Sequence, residues 1–215
     1  MGRPHADVTV LGWEHALFGG NPSATWAAHL PYVALSEALH LSYASYYLLV
    51  LLPPVVLYVR GARTEFARTE FARTLLALAL VYAACFSTYL LFPVDGPRYL
   101  VGPAHAPDGP VRAFVLHLLA AGSSRGTAFP SSHVAASVVA TLCALRADRR
   151  LGIPIAILTT GLTLGTVYGG FHYGVDALAG LITGLSTFGI SSVAWRMISS
   201  SSAEMDTGAQ SATAA

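Results

Sequence analysis

The chain contains no lysine, and all twelve of its basic residues are arginine. Charge of either sign is scarce, at 11% of 215 residues against 54% hydrophobic. A soluble globular domain carries about a quarter of its residues as charges, so this composition belongs to a membrane protein. The net charge of +1 and the lack of any basic stripe exclude a nucleic-acid-binding surface. There are only two cysteines, Cys85 and Cys143, each within an apolar run. They read as reduced core thiols rather than a disulfide or a metal pair. The opening "MGRPHADVTVLGWEHALFGG" lacks a continuous apolar core after its basic start, so no cleavable signal peptide is expected.

Long apolar runs, in contrast, are plentiful. A bilayer crossing needs about 20 mostly apolar residues, and five segments qualify or nearly do: 32–58, 74–92, a third starting at 130, 151–171 and 175–195. Pro53-Pro54 should kink or end the first. Residues 1–31 scatter Trp, Phe and Leu among Gly, Pro and His, and read as an interfacial or re-entrant segment. The expected fold is all-α: a polytopic membrane helical bundle of about five to six transmembrane helices with an N-terminal interfacial segment. Residues 1–198 form one membrane-embedded domain. The small, polar tail at 199–215 has no apolar periodicity and is expected to be disordered.

Arginine placement orients the bundle. "RGARTEFARTEFARTL" (60–75), "RADRR" (146–150) and Arg196 fall on one side if five spans alternate. The positive-inside rule makes that side cytoplasmic. The duplicated "ARTEF" reads as a solvated charged helix. The other side receives the N-terminal segment, the long 93–130 loop, the start of the third span and the turn between the last two.

Three clusters converge on that outer side. "FPVDGPRY" (92–99) brings Asp95, Arg98 and Tyr99; "SSRGTAFPSSHVAAS" (123–137) brings Arg125, Ser131, Ser132 and His133; "YGGFHYGVDALAG" (168–180) brings His172 and Asp176. A proline followed by hydroxyl residues at a helix start leaves backbone N–H groups that can cradle an anion. His172 and Asp176, four apart, can share a helical face, so that the carboxylate fixes the imidazole tautomer and frees the other nitrogen as nucleophile or base. Arg98 offers a forked, permanently charged ligand for phosphate, and Arg125 is a second candidate cation. Together these describe phosphoryl transfer: donors hold the phosphate, one His attacks phosphorus, Asp orients it, and the other His protonates the leaving oxygen. No tetrahedral ligand spacing occurs, so neither metal nor cofactor is expected. Glu37 and His40, one turn apart, should pair with each other, and "YASYY" (43–47) should pack between helices or mark an interface.

On these residues the chain resembles the type 2 phosphatidic acid phosphatase superfamily over roughly 90–180. "PSSH" (130–133) is similar to the family's Pro-Ser-Gly-His with Ser132 for Gly, and "HYGVD" (172–176) matches the end of Ser-Arg-x5-His-x3-Asp. The resemblance implies that His172 is a nucleophile forming a phosphohistidine, Asp176 its partner, His133 the general acid, and the fold a helical bundle opening outward. Two features depart from the pattern. Gly165-Thr166 stand where Ser-Arg belongs, and of Lys-x6-Arg-Pro only Arg98 remains, with Leu91 in the lysine position and Tyr99 after the arginine. That reduced cation set resembles the inositol phosphorylceramide synthase-like (inositolphosphotransferase) branch, which transfers a phosphorylated headgroup between lipids.

The expected activity is therefore that of an integral membrane lipid phosphoesterase. It would hydrolyse a lipid phosphate or, the reading the residues favour, transfer a headgroup from a phospholipid to a lipid alcohol acceptor. His133, His172 and Asp176 would be catalytic, with Arg98, Tyr99, Arg125, Ser131 and Ser132 binding substrate. The expected setting is a bacterial-type plasma membrane with the site on the extracytoplasmic face. The alternative is a catalytically weak lipid-binding or transport bundle of the same fold. A vanadate-dependent haloperoxidase shares the motif logic but fits neither the membrane character nor the lost cations.

Overall fold

Every regular element among the described residues is an α-helix, as the apolar periodicity requires. The computed structural model describes residues 6–100, 102 and 104–213, with side chains as far as Ser200. Two short helices, α1 (Asp7–Phe18) and α2 (Pro22–His29), come first, and at 12 and 8 residues neither is long enough to cross a bilayer. Then follow α3 (Val33–Ala44), α4 (Tyr46–Gly61), α5 (Glu65–Leu91), α6 (Pro97–Leu100), α7 (Pro110–Gly122), α8 (Ser132–Ala147), α9 (Arg149–Tyr168) and α10 (Gly174–Thr213).

Three helices are long and apolar enough to span a membrane: α5, α9 and the Gly174–Ser200 part of α10. The pair α3 and α4, bent by 45°, makes a fourth. The third sequence-predicted span, α8, has 16 residues and so measures only about 24 Å. It packs against α4, α5, α9 and α10, and every residue from 134 to 141 is buried. A helix sheathed by others meets little lipid, so the length rule for a crossing does not bind it.

The first span breaks at Ser45 and not at the two prolines. Pro53 and Pro54 lie inside α4 without ending it. At the break the Ser45 hydroxyl donates to Ser42 O (2.7 Å), a local bond that competes with the helical ladder. The bend tips Tyr43, Tyr46 and Tyr47 toward the site described below.

Two pairs of glycines, each spaced by four, sit at close helix contacts. A Cβ on Gly165 would lie 2.6 Å from Leu39 O in α3, and one on Gly161 would crowd Ser42; on α10, a Cβ on Gly180 or Gly184 would meet the α8 carbonyls of Ser131 and Ala135. Small residues at this spacing let backbones approach without hydrophobic driving force. The same contacts draw the starts of α8 and α10 together, and the catalytic candidates lie there. Both cysteines are free and buried.

The arginine-rich end is built from caps and ion pairs. Thr64 caps α5 and Asp148 caps α9 while accepting from Arg60 (2.8 Å); that arginine holds the Asp148 carboxyl below its ordinary range. The duplicated "ARTEF" proves asymmetric. Glu65 pairs with Arg68 at the surface as expected, but Glu70 is buried between Arg73 and Arg146. The helical backbone of α10 continues to Thr213, past the point where composition suggests disorder. Its Ala, Glu, Met and Gln content with no proline is compatible with helix. Residues 1–5 and 214–215 of the expected domain and tail lie outside the described residues.

Candidate active site

A cavity of about 350 Å³ opens at the end of the bundle away from the arginine clusters. Arg98, Tyr99, Ser132, His133 and His172 line it together, so five of the eight singled-out residues meet in one space. The other three stand elsewhere. Asp176 is fully buried beside His172. The Ser131 hydroxyl is not in the wall, because it caps α8 by accepting from Val134 N (3.4 Å). Arg125 lies at the exposed rim, 4.8 Å over the Tyr99 ring and 3.6 Å from Asp95.

His172 sits in the turn between α9 and α10, held by the helix it follows: the Thr166 carbonyl accepts from both Phe171 N (2.9 Å) and His172 N (3.0 Å). Its Nδ1 lies 3.0 Å from the Ala128 carbonyl and 3.5 Å from Asp176 Oδ2. A carbonyl oxygen only accepts, so Nδ1 carries the proton and Nε2 keeps its lone pair. The nearer orienting group is therefore a backbone carbonyl that no side-chain pattern could reveal. Asp176 Oδ2 accepts from Tyr173 N (2.9 Å), while Oδ1 is buried with no hydrogen-bond partner among the described residues. Burial pushes His172 down to about 4, so the ring is neutral at physiological pH.

His133, in the first turn of α8, faces His172 with ring centroids 5.8 Å apart. Tyr43 stacks on it at 5.3 Å and Tyr46 leans on it at 4.3 Å. The tyrosine-rich stretch thus packs between helices, as expected, and also walls the cavity. His133 Nδ1 is buried and has no hydrogen-bond partner among the described residues.

The expected anion cradle at the start of α8 is partly closed. Tyr89 OH accepts from Ser132 N (3.2 Å) and donates to Pro130 O (2.9 Å), and Ser131 caps Val134 N. Arg98 remains available: NH2 donates to Leu119 O (3.2 Å) while NH1 is buried with no hydrogen-bond partner among the described residues. The turn that delivers it needs Gly96, whose φ of +91° favours glycine.

Three carboxylates from distant segments fix these loops by one device. Each places its two oxygens on two consecutive backbone N–H groups. Asp7 holds Asp95 N and Gly96 N (3.0 and 2.9 Å), Glu14 holds Gly174 N and Val175 N (2.9 and 2.8 Å), and Glu37 holds Val111 N and Arg112 N (2.8 and 2.9 Å). Glu37 therefore does not bond His40, whose Nδ1 bonds Ser36 O instead (2.6 Å). Two open N–H groups at a helix start outbid a single imidazole for a carboxylate. Gly109 supplies the room, since a Cβ there would collide with the Glu37 carboxylate.

With this geometry in view, the family comparison is decisive: the sequence model of the PAP2 superfamily matches residues 9–190. The chain belongs to the PAP2 superfamily. Comparison with curated proteins and with solved structures finds no significant match. PAP2 membership carries the general chemistry of a phosphatase-type lipid phosphoesterase, and the match reaches well beyond the 90–180 stretch that carries the motifs. It takes in α1 and α2, the segment that supplies Glu14. Two of the positions where this PAP2 chain departs from the motifs are packed positions: Gly165 abuts the α3 backbone and Thr166 is fully buried. Among the described residues no three His, Cys, Asp or Glu side chains converge as metal ligands do.

Proposed function

We propose that the protein is an integral membrane lipid phosphoesterase working through a phosphohistidine on His172, and that it transfers a phosphorylated headgroup to a lipid alcohol in preference to hydrolysis. One observation carries the reading: two histidines face each other across a cavity that also holds an arginine with a buried guanidinium nitrogen left unpartnered among the described residues. Nε2 of neutral His172 attacks phosphorus, the P–O bond to the leaving alcohol breaks, and His133, which the negative charge of the bound phosphate brings to its protonated form, gives its proton to the departing oxygen. His133 then takes a proton from an incoming hydroxyl, whose oxygen attacks the phosphohistidine as the N–P bond breaks. Arg98 and Ser132 hold the phosphoryl oxygens. Asp176, with the Ala128 carbonyl, positions the His172 ring, and Tyr99 and Arg125 receive the headgroup at the rim. Ser131 acts through the α8 cap.

The preference for transfer rests on charge. A phosphodiester brings one negative charge where a monoester brings nearly two, and one arginine in the cavity wall matches the former. The substrate is a phospholipid, and the site opens on the extracytoplasmic face of a bacterial-type plasma membrane, since the cavity lies opposite the arginine clusters. No metal or cofactor takes part.

The test is incubation of purified protein with labelled phosphatidate, diacylglycerol pyrophosphate, isoprenyl pyrophosphate and phosphatidylinositol, each with and without diacylglycerol or ceramide. A new labelled lipid formed only with acceptor is the expected result. Release of inorganic phosphate alone would replace transfer by hydrolysis. Identical behaviour of wild type and His172→Ala on every substrate would remove the enzyme reading in favour of a lipid-binding bundle.

A further inference from the structure

A second cavity, of about 190 Å³, lies at the arginine-rich end, lined by Arg73, Arg146, Ser191, Ser192, Trp195 and Arg196. Its wall is positive by construction. Buried Glu70 accepts from Arg73 NH1 (2.9 Å) and from Arg146 Nε (2.7 Å), which fixes two guanidinium groups while the carboxylate stays out of the lining. Three arginines against this one carboxylate leave a net formal charge of +2 (three minus one).

The two fixed guanidinium groups are also incompletely satisfied. Arg73 Nε and Arg146 NH2 are buried and lack a hydrogen-bond partner among the described residues. Unpaired buried donors of this kind are costly, and here they lie on residues that line one cavity. Aromatic faces hold the groups in place, with Arg73 5.5 Å over Trp195 and Arg146 5.2 Å over Phe188. The Ser191 and Ser192 hydroxyls donate to Phe188 O (2.8 and 2.9 Å), so the donors open to a ligand are the guanidinium groups.

An anion with several acceptor oxygens is what such a set recognises, and arginine forks suit phosphate. The setting selects a lipid phosphate. The cavity lies where the apolar part of α10 ends near Ser200, and Ile190, Val193 and Met197 on the same helix are exposed, presenting an apolar flank to acyl chains. Basic pockets between transmembrane helices at the arginine-rich side are a recurrent way to hold anionic headgroups. We propose that this cavity binds the phosphate of an anionic phospholipid, at the end of the bundle opposite His133 and His172.

The experiment measures lipid binding to the full chain in neutral detergent, by native mass spectrometry and by the shift of the unfolding midpoint. The probes are phosphatidylglycerol, phosphatidylcholine and inorganic phosphate. Two variants are compared with wild type: Arg196→Gln, at an exposed position outside the Glu70 bonds, and Arg73→Lys, which keeps a charge for Glu70 but removes Nε. The expected result is a phosphatidylglycerol affinity reduced roughly tenfold in each, with weak phosphatidylcholine binding unchanged and no midpoint shift from millimolar inorganic phosphate. Phosphatidylglycerol binding equal in wild type and both variants would overturn the proposal. So would inorganic phosphate that displaces the lipid and reproduces its shift, since the ligand would then be the free ion. If either variant melts early without lipid, the other decides.

Discussion

Glu14→Gln isolates how the site is held. The Glu14 side chain is fully buried, and its two oxygens accept from Gly174 N and Val175 N at the start of α10, two residues beyond His172. Glutamine keeps one accepting oxygen and turns an NH2 toward the other backbone N–H, leaving two donors opposed. One charge-assisted bond is lost, worth about 1.5–3 kcal/mol, and a buried N–H is left unpaired at about 1–3 kcal/mol. Partial relaxation of α1 offsets some of this, so the net cost is about 2–4 kcal/mol. For a chain of this size each kcal/mol lowers the midpoint by about 2–4 °C, which predicts a fall of about 5–15 °C in detergent. Because Glu14 touches neither histidine, it is a positioning residue: kcat should fall as His172 loses its alignment, with KM little changed. Glu14→Asp retains the charge on a shorter arm and should recover part of both. A midpoint within 1 °C of wild type for Glu14→Gln would mean that α1 does not dock on α10, and the whole account of the loops around the cavity would fall with it.

Burial holds His172 near 4, below its ordinary 6.5, so the unfolded chain takes up a proton that the folded chain refuses. Its contribution is complete above about pH 6.5 and drains away as pH falls toward 4, a loss approaching about 3 kcal/mol; midpoints recorded across that window should fall more gently in His172→Gln. Gly184→Ala places a Cβ 2.7 Å from the Ala135 carbonyl and should separate α8 from α10 with severe loss of folded protein. Gly189→Ala, with nothing within 4 Å, should be neutral or stabilise by about 0.5–1 kcal/mol, and equal effects at the two positions would refute the close-packing argument. Arg98→Gln should raise KM for a phospholipid substrate by roughly tenfold to a hundredfold through loss of a charge-assisted contact, and Arg98→Lys should recover little because the fork is gone; an unchanged KM would take Arg98 out of the substrate site.

The parts of this molecule legible in its sequence are those encoded by neighbours in the chain. Apolar runs mark α5, α9 and α10, and the spacing of His172 and Asp176 brings the two side chains together, although His172 lies in the turn before the last helix and only Asp176 in its first turn. Arginine counting puts the charged clusters at one end and the histidines at the other. Where several neighbours compete, the outcome is less legible. Pro53-Pro54 carries the stronger breaking signal, yet the hydroxyl of Ser45 marks the bend. The stretch "PVRAFVLHLLAAG" falls within the expected 93–130 loop, yet it forms the helix α7, of whose residues only Val115 is buried. Glu70 and Glu65 sit in identical pentapeptides, so nothing local distinguishes the buried acid from the solvated one. The difference is Arg146, which approaches from α8.

The same logic explains the least legible feature, the three carboxylate forks. A helix start is ordinarily capped by a residue one to three positions before it, which a sequence shows. At Gly174 the acceptor comes from Glu14, 160 residues earlier, and at Val111 from Glu37, 74 residues earlier. A glycine-rich turn such as 168–174 has no side chain of its own to offer, because its space is taken: a Cβ on Gly170 would press on Ala104 and one on Gly174 on Phe18. The cap must therefore arrive from another element. Supplying it from α1 makes the docking of α1 and the geometry at the start of α10 one event. The N-terminal segment, which looks like a peripheral interfacial stretch, is for that reason part of what gives the two histidines a defined separation, and Glu14 lies within the residues 9–190 that the family model matches.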